Sequence, residues 1–144
     1  MLSPKQFLVI LLPVAAMAAT TQISSDKPVI NFKLPTFTPD GHRSWLVRGS
    51  EASFASQNQI NIKELTLSIF SGKADDKVDT MILSPTARVL PAEAVVTGDG
   101  TIRVINDEFE ATGSDWRYAH KEKRVTIAKN VRVVFNTELK ELLK

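Results

Sequence analysis

The chain contains no cysteine, so neither disulfides nor thiolate metal sites hold its fold together. It carries no strong excess of one charge: 18 Lys and Arg stand against 16 Asp and Glu. Nucleic-acid binders present a clustered basic stripe, and this balance gives no such case. Long hydrophobic runs are also missing. The most apolar stretch, from Phe7 to Ala18, is broken by Pro13 and is too short for the roughly 20 residues that a membrane-crossing helix needs.

Catalytic signatures are missing too. The serines lack a Gly-x-Ser-x-Gly elbow, and no pair of histidines or of histidine and carboxylate has metal-ligand spacing. Gly72-Lys73 resembles the end of a phosphate loop, but Leu67 stands where the earlier glycine belongs and Ala74 where Ser or Thr belongs. His42 and His120 each sit beside a turn and read as solvated polar residues. Asp75, Asp76 and Asp79, and likewise Asp107, Glu108 and Glu110, lack EF-hand spacing and read as a solvated loop and strand end. The expectation is a protein that is not an enzyme, with no cofactor and no metal.

What is present is one strand–turn–strand unit written three times. Gly49-Ser50-Glu51-Ala52-Ser53-Phe54-Ala55 aligns with Gly113-Ser114-Asp115-Trp116-Arg117-Tyr118-Ala119. The apolar runs behind them agree: Ile60, Ile62, Leu65, Leu67, Ile69 and Phe70 answer to Val125, Ile127, Val131, Val133, Val134 and Phe135. A fainter middle copy places Ala87, Val89, Val95, Ile102 and Val104 under Ala52, Phe54, Ile60, Leu67 and Ile69. Units of this size cannot bury their apolar faces alone and must stack on one another.

Within each unit apolar residues alternate, as strands require. Ser56-Gln57-Asn58-Gln59 and His120-Lys121-Glu122-Lys123 are the intervening turns. The alternation changes parity at Lys63-Glu64 and again at Lys129-Asn130, which predicts a bend or bulge at both places. Thr97-Gly98-Asp99-Gly100-Thr101 predicts the same in the middle unit. Ahead of the repeats, Ile30, Phe32 and Leu34 alternate with polar residues between Pro28 and Pro35, the mark of an edge strand. Thr38-Pro39-Asp40-Gly41 is a turn, because proline presets φ and aspartate and glycine tolerate tight geometry.

These patterns predict an all-β fold: an antiparallel sheet folded over on itself as an open, slipped jelly roll, with a short helix at the C-terminus. A closed eight-stranded barrel is the competing layout, and the prolines beside the first strand favour the open form. Residues 1–18, with Lys5, the apolar stretch and Ala16-Met17-Ala18, read as a signal peptide or a short uncleaved anchor. Residues 19–28 read as a spacer, 29–137 as the β domain and 138–144 as a tail.

Arg43-Ser44-Trp45-Leu46-Val47-Arg48-Gly49 leading into Glu51-Ala52-Ser53-Phe54, with Lys129-Asn130-Val131-Arg132-Val133 at the later corner, resembles the LptC family of periplasmic lipopolysaccharide-export proteins. More loosely, the pattern is similar to LptA and other OstA-like domains. The resemblance covers about residues 29–137. It departs from the family at the N-terminus, where LptC-like proteins commonly keep a transmembrane anchor.

The resemblance implies a periplasmic location, possible tethering to the inner membrane, and a β-jelly roll whose inner face shields the acyl chains of lipopolysaccharide. The groove residues implied are Trp45, Val47, Phe54, Ile60, Ile62, Leu67, Ile69, Val89, Val95, Ile102, Val104, Phe109, Trp116, Tyr118, Val125, Ile127, Val131 and Val133. It also implies partners: an inner-membrane ABC transporter of LptB, LptF and LptG type and an LptA-like bridge protein. These would add strands at the sheet edges, near Ile30, Phe32 and Leu34 and near Arg132, Val134 and Asn136. A β-repeat scaffold that joins partners without carrying lipid is the alternative.

Overall fold

The computed structural model describes residues 27–136, and these form an antiparallel meander. Its strands are β1 (Val29–Phe37), β2 (Arg43–Ser56), β3 (Gln59–Phe70), β4 (Val78–Leu90), β5 (Val95–Asn106), β6 (Phe109–Ala119) and β7 (Arg124–Phe135). Each strand pairs with its sequence neighbours, and β1 and β7 are the two unpaired edges. The sheet is therefore open, as the prolines imply: Pro35 sits within β1, an edge strand. The three hairpins β2–β3, β4–β5 and β6–β7 are the three sequence repeats. The leader, nearly all of the spacer and the C-terminal helix anticipated from the sequence lie outside the described residues.

The predicted parity shifts are a bend at Glu64, where pairing with both neighbouring strands keeps its register, and a bulge at Asn130. Glu64 and Asn130 both have φ of 53°, and Asn31 has φ of 54°. The β6–β7 register slips between Thr112 and Ser114, the β5–β6 register between Gly98 and Thr101, and the β4–β5 register between Leu83 and Arg88. Pairing puts these irregularities side by side. Asn31 lies opposite Ser50, Ser50 opposite Glu64, and Glu64 opposite Pro85. They form one line across the sheet, a crease at which the strands bend. Pro85 is tolerated inside a central strand because the ladder is already interrupted there. The Ser84 hydroxyl, 2.7 Å from the Thr101 carbonyl, supplies a bond across that gap.

The crease divides the sheet into two leaves that close on each other. One leaf holds residues 32–37, 43–48, 65–70, 78–83, 102–106, 109–112 and 131–135. The other holds 51–56, 59–63, 86–90, 95–98, 115–119 and 124–129. Trp45 of the first leaf meets Tyr118 of the second at a ring separation of 6.2 Å, so the inner faces are in contact. A single cluster fills the space between them, including Val47, Leu67, Ile82, Val89, Val96 and Trp116. The core is what the alternation dictates: one side chain in two points inward on each strand.

The repeat is also visible in atomic detail. A Cβ added at Gly49 would lie 2.4 Å from Ile62 Cγ2 and 3.0 Å from the Lys63 carbonyl oxygen. At Gly113, its counterpart in the third unit, the same atom would lie 2.4 Å from Ile127 Cγ2 and 2.8 Å from the Lys129 oxygen. Both positions need glycine because a neighbouring strand's isoleucine presses on the backbone beside the crease.

Candidate functional site: an apolar inner face with two open seams

Most of the residues assigned to a groove lie in the packed interior. Trp45, Val47, Ile60, Ile62, Leu67, Ile69, Val89, Val95, Ile102, Val104, Trp116 and Tyr118 are all buried. They line an inner face that is shut in this conformation. Phe109, Val125 and Ile127 pack against that cluster but are partly open, and Phe54, Val131 and Val133 are exposed. The accessible members therefore gather at the two edges of the folded sheet.

At the β7 edge a depression of about 370 Å³ opens between the leaves. Val125 and Ile127 wall it from one leaf; Val131, Val133, Phe109, Ala111 and Val104 wall it from the other. Lys123, Thr80 and Asn106 complete the lining. Both halves of β7 thus contribute, because the bulge at Asn130 turns the strand back over itself. The β1 edge has a depression of about 540 Å³ lined by Val29, Asn31, Phe32, Lys33 and Phe54, where the Phe32 and Phe54 rings meet edge to face at 6.1 Å. A third depression, about 800 Å³, follows the crease. Its lining mixes Leu65, Leu83 and Ile102 with Thr66, Ser84, Thr101, Thr112 and Asn130, and only Ile102 belongs to the assigned groove.

The edge residues divide by strand. On β1, Phe32 and Leu34 pack inward against the core, whereas Ile30 is exposed. On β7, Arg132 and Val134 are exposed, and Asn136 follows the strand with its N–H donating to the Glu108 carbonyl at 2.8 Å. Antiparallel pairing alternates, so Val134 and Arg132 also turn their backbones toward β6. The backbone groups that face outward from this stretch belong to Val131, Val133 and Phe135.

Away from the crease, one cluster joins the two leaves. The His120 ring stacks on Trp45 with centroids 4.7 Å apart and planes 7° from parallel. Its Nε2 lies 2.6 Å from the Ser44 hydroxyl and its Nδ1 lies 2.8 Å from the Tyr118 hydroxyl. A neutral imidazole donates through one nitrogen and accepts through the other, so both hydroxyls suit it. Burial, reinforced by the nearby Lys123 ammonium, lowers the His120 pKa from its ordinary value, and burial raises that of Tyr118. His120 is half-buried and fully partnered. The solvated histidine expected at a turn is corrected here, because His120 continues the inward parity of Trp116 and Tyr118.

The acidic clusters serve the loops. Asp75 accepts from the Ser71 hydroxyl at 2.7 Å and the Lys77 N–H at 3.1 Å, which organises the β3–β4 turn and holds its carboxyl below the usual range. Glu110 pairs with Arg103, and Asp76 lies 3.8 Å from Arg43. No group of three or more His, Cys, Asp or Glu among the described residues has the arrangement of a metal site. No helix among the described residues is long and apolar enough to cross a membrane.

No curated protein matches the chain. The family model described as lipopolysaccharide-assembly, LptC-related matches residues 12–136, nearly the whole sequence. With an open, folded-over antiparallel sheet beneath that match, the chain belongs to the LptC-related family of lipopolysaccharide-assembly proteins.

Proposed function

We propose that this protein is a periplasmic component of the lipopolysaccharide-export bridge, shielding acyl chains on the inner face of its folded sheet. The cargo would come from an inner-membrane ABC transporter and pass toward an LptA-like partner. The observation that carries this reading is the pair of apolar seams, where Val131, Val133, Ile127 and Phe54 remain accessible at the edges of an otherwise sealed interior. Each methylene moved from water into such a lining is worth about 0.8 kcal/mol, which favours entry of acyl chains into the seams. Aliphatic walls shield chains without fixing one pose, as a carrier that must release its cargo requires. The unpaired β1 and β7 edges offer backbone donors and acceptors for strand addition by partners on either side.

A photo-crosslinking residue at Val133 or Phe54 is expected to form adducts with labelled lipopolysaccharide, whereas one at Thr126 on the outward face is not. Partner assembly without adducts at either seam would leave the scaffold reading standing and end the carrier one.

A further inference from the structure

Each turn of the meander joins two strands within one leaf, so the chain crosses from leaf to leaf only at the crease. At the opposite rim, where β2 begins and β6 ends, the leaves are held by side chains alone. Among the described residues, the Ser44 hydroxyl and His120 Nε2 make the only side-chain hydrogen bond across that rim, and no ion pair crosses it. The His120 ring, carried by the second leaf, also stacks on Trp45 of the first. Its own leaf holds it in place: the Tyr118 hydroxyl meets Nδ1, and the Ala94 carbonyl accepts the His120 N–H at 2.9 Å. Contacts farthest from a hinge move most when the hinge opens. This rim contact therefore governs the first parting of the leaves.

We propose that the contact of Ser44 and Trp45 with His120 is a releasable latch: protonation of His120 frees the rim, and the leaves part there while the crease holds. The neutral ring donates through one nitrogen and accepts through the other, whereas the imidazolium donates through both, so each hydroxyl must turn to accept. The surrounding groups favour release. Tyr118 faces the ring from β6, and burial keeps its hydroxyl protonated. Lys121, Glu122 and Lys123 follow on the turn, and of these the Lys123 ammonium acts on the ring. From β2, Arg43 turns its guanidinium to Phe70 and Asp76 instead. Glu93, beside Ala94, makes no ion pair with the ring. No carboxylate neutralises the half-buried imidazolium, and the Trp45 face offsets only part of its desolvation. An open rim returns His120 to its ordinary value near 6.5, so the ratio of open to closed protein rises by at most about thirtyfold from about pH 8 to about pH 5.

What enters the parted rim rests on the carrier reading; the latch itself is tested on the full protein without cargo. The chain has no cysteine, so introduced pairs take spin labels cleanly. Asp79→Cys and Ala92→Cys put labels at exposed positions on the far ends of the two leaves, and Lys33→Cys with Asp107→Cys gives a control pair within the first leaf. Pulsed dipolar spectroscopy is expected to show a longer distance between the leaves growing in from about pH 8 to about pH 5, with the control distance unchanged. Its midpoint should coincide with the titration of the His120 ring followed by NMR. Ser44→Ala, which removes the bond and keeps the histidine, should open at higher pH than the wild type, and His120→Gln should lose the pH dependence. A distance between leaves that ignores pH, or a midpoint away from the ring titration, overturns the latch. So does a response that survives His120→Gln, a Ser44→Ala protein that opens no earlier, or a control pair that spreads in step. The carrier reading stands or falls separately, on lipopolysaccharide adducts at Val133 and Phe54.

Discussion

Glycine at the crease is the feature that lets this sheet fold over, and replacing Gly49 by alanine tests it. The new Cβ would lie 2.4 Å from Ile62 Cγ2, where carbon atoms rest comfortably at about 3.5–4.0 Å. Ile62 has little room to retreat: it is 2 % exposed and, being β-branched, stiff about χ1. Overpacking a tight core costs about 1–3 kcal/mol, and a gap short by more than an ångström belongs in the upper half of that range. With a urea m-value of about 2 kcal/mol/M, a cost of about 2 kcal/mol moves the unfolding midpoint down by about 1 M. Gly113→Ala meets the matching Ile127 at the same 2.4 Å. Ile127, however, is only partly buried and lies on edge strand β7, which can shift, so about half the loss is expected. Leucine has no Cγ2 branch at its β-carbon. Ile62→Leu should therefore restore part of the stability lost in Gly49→Ala, a favourable coupling read from a double-mutant cycle. Elsewhere a Gly→Ala change stabilises by about 0.4–1 kcal/mol through the unfolded chain. A Gly49→Ala protein as stable as wild type, or one that Ile62→Leu does not help, would refute the crease argument.

The clasp of Trp45, Ser44, Tyr118 and His120 makes stability depend on pH with a definite sign. Because the folded His120 pKa is depressed, the unfolded chain takes up the proton first, near 6.5. Its contribution is complete above that pH and declines as pH falls through 6.5 toward the folded value; urea midpoints from pH 8 to 5 should show this, and His120→Gln should flatten it. A wild-type profile no steeper than that of the variant would discount the clasp. At the β7 edge, Phe135→Pro removes an outward N–H and should match Phe135→Ala in stability while weakening any strand addition of the kind proposed above, read as loss of pull-down by a candidate partner. Val134→Pro instead breaks a ladder bond to β6 and should unfold at lower urea than Val134→Ala. Equal stability of that last pair would mean that the assigned bonding alternation is reversed.

The fold was legible because its signals are local. The repeat, the alternation and the proline-flanked first strand each follow from neighbouring residues, and the parity slips at Glu64 and Asn130 mark the bend and the bulge directly. The closing of the leaves was not local. Leu67 and Phe54 both alternate toward the inner face, yet one is sealed and the other 42 % exposed, because burial depends on which residue of the opposite leaf lies across from it. One strand's sequence carries no record of that facing position, so packed core and open seam look alike. His120 shows the same boundary from the other side. Its neighbours on the chain are the charged residues of a turn, which suggests solvent, while its place two residues after Tyr118 points it inward against Trp45. Parity was the correct signal and composition the misleading one. In a folded-over sheet the direction of a side chain is fixed by counting along its own strand, and what it meets is fixed by where the crease falls.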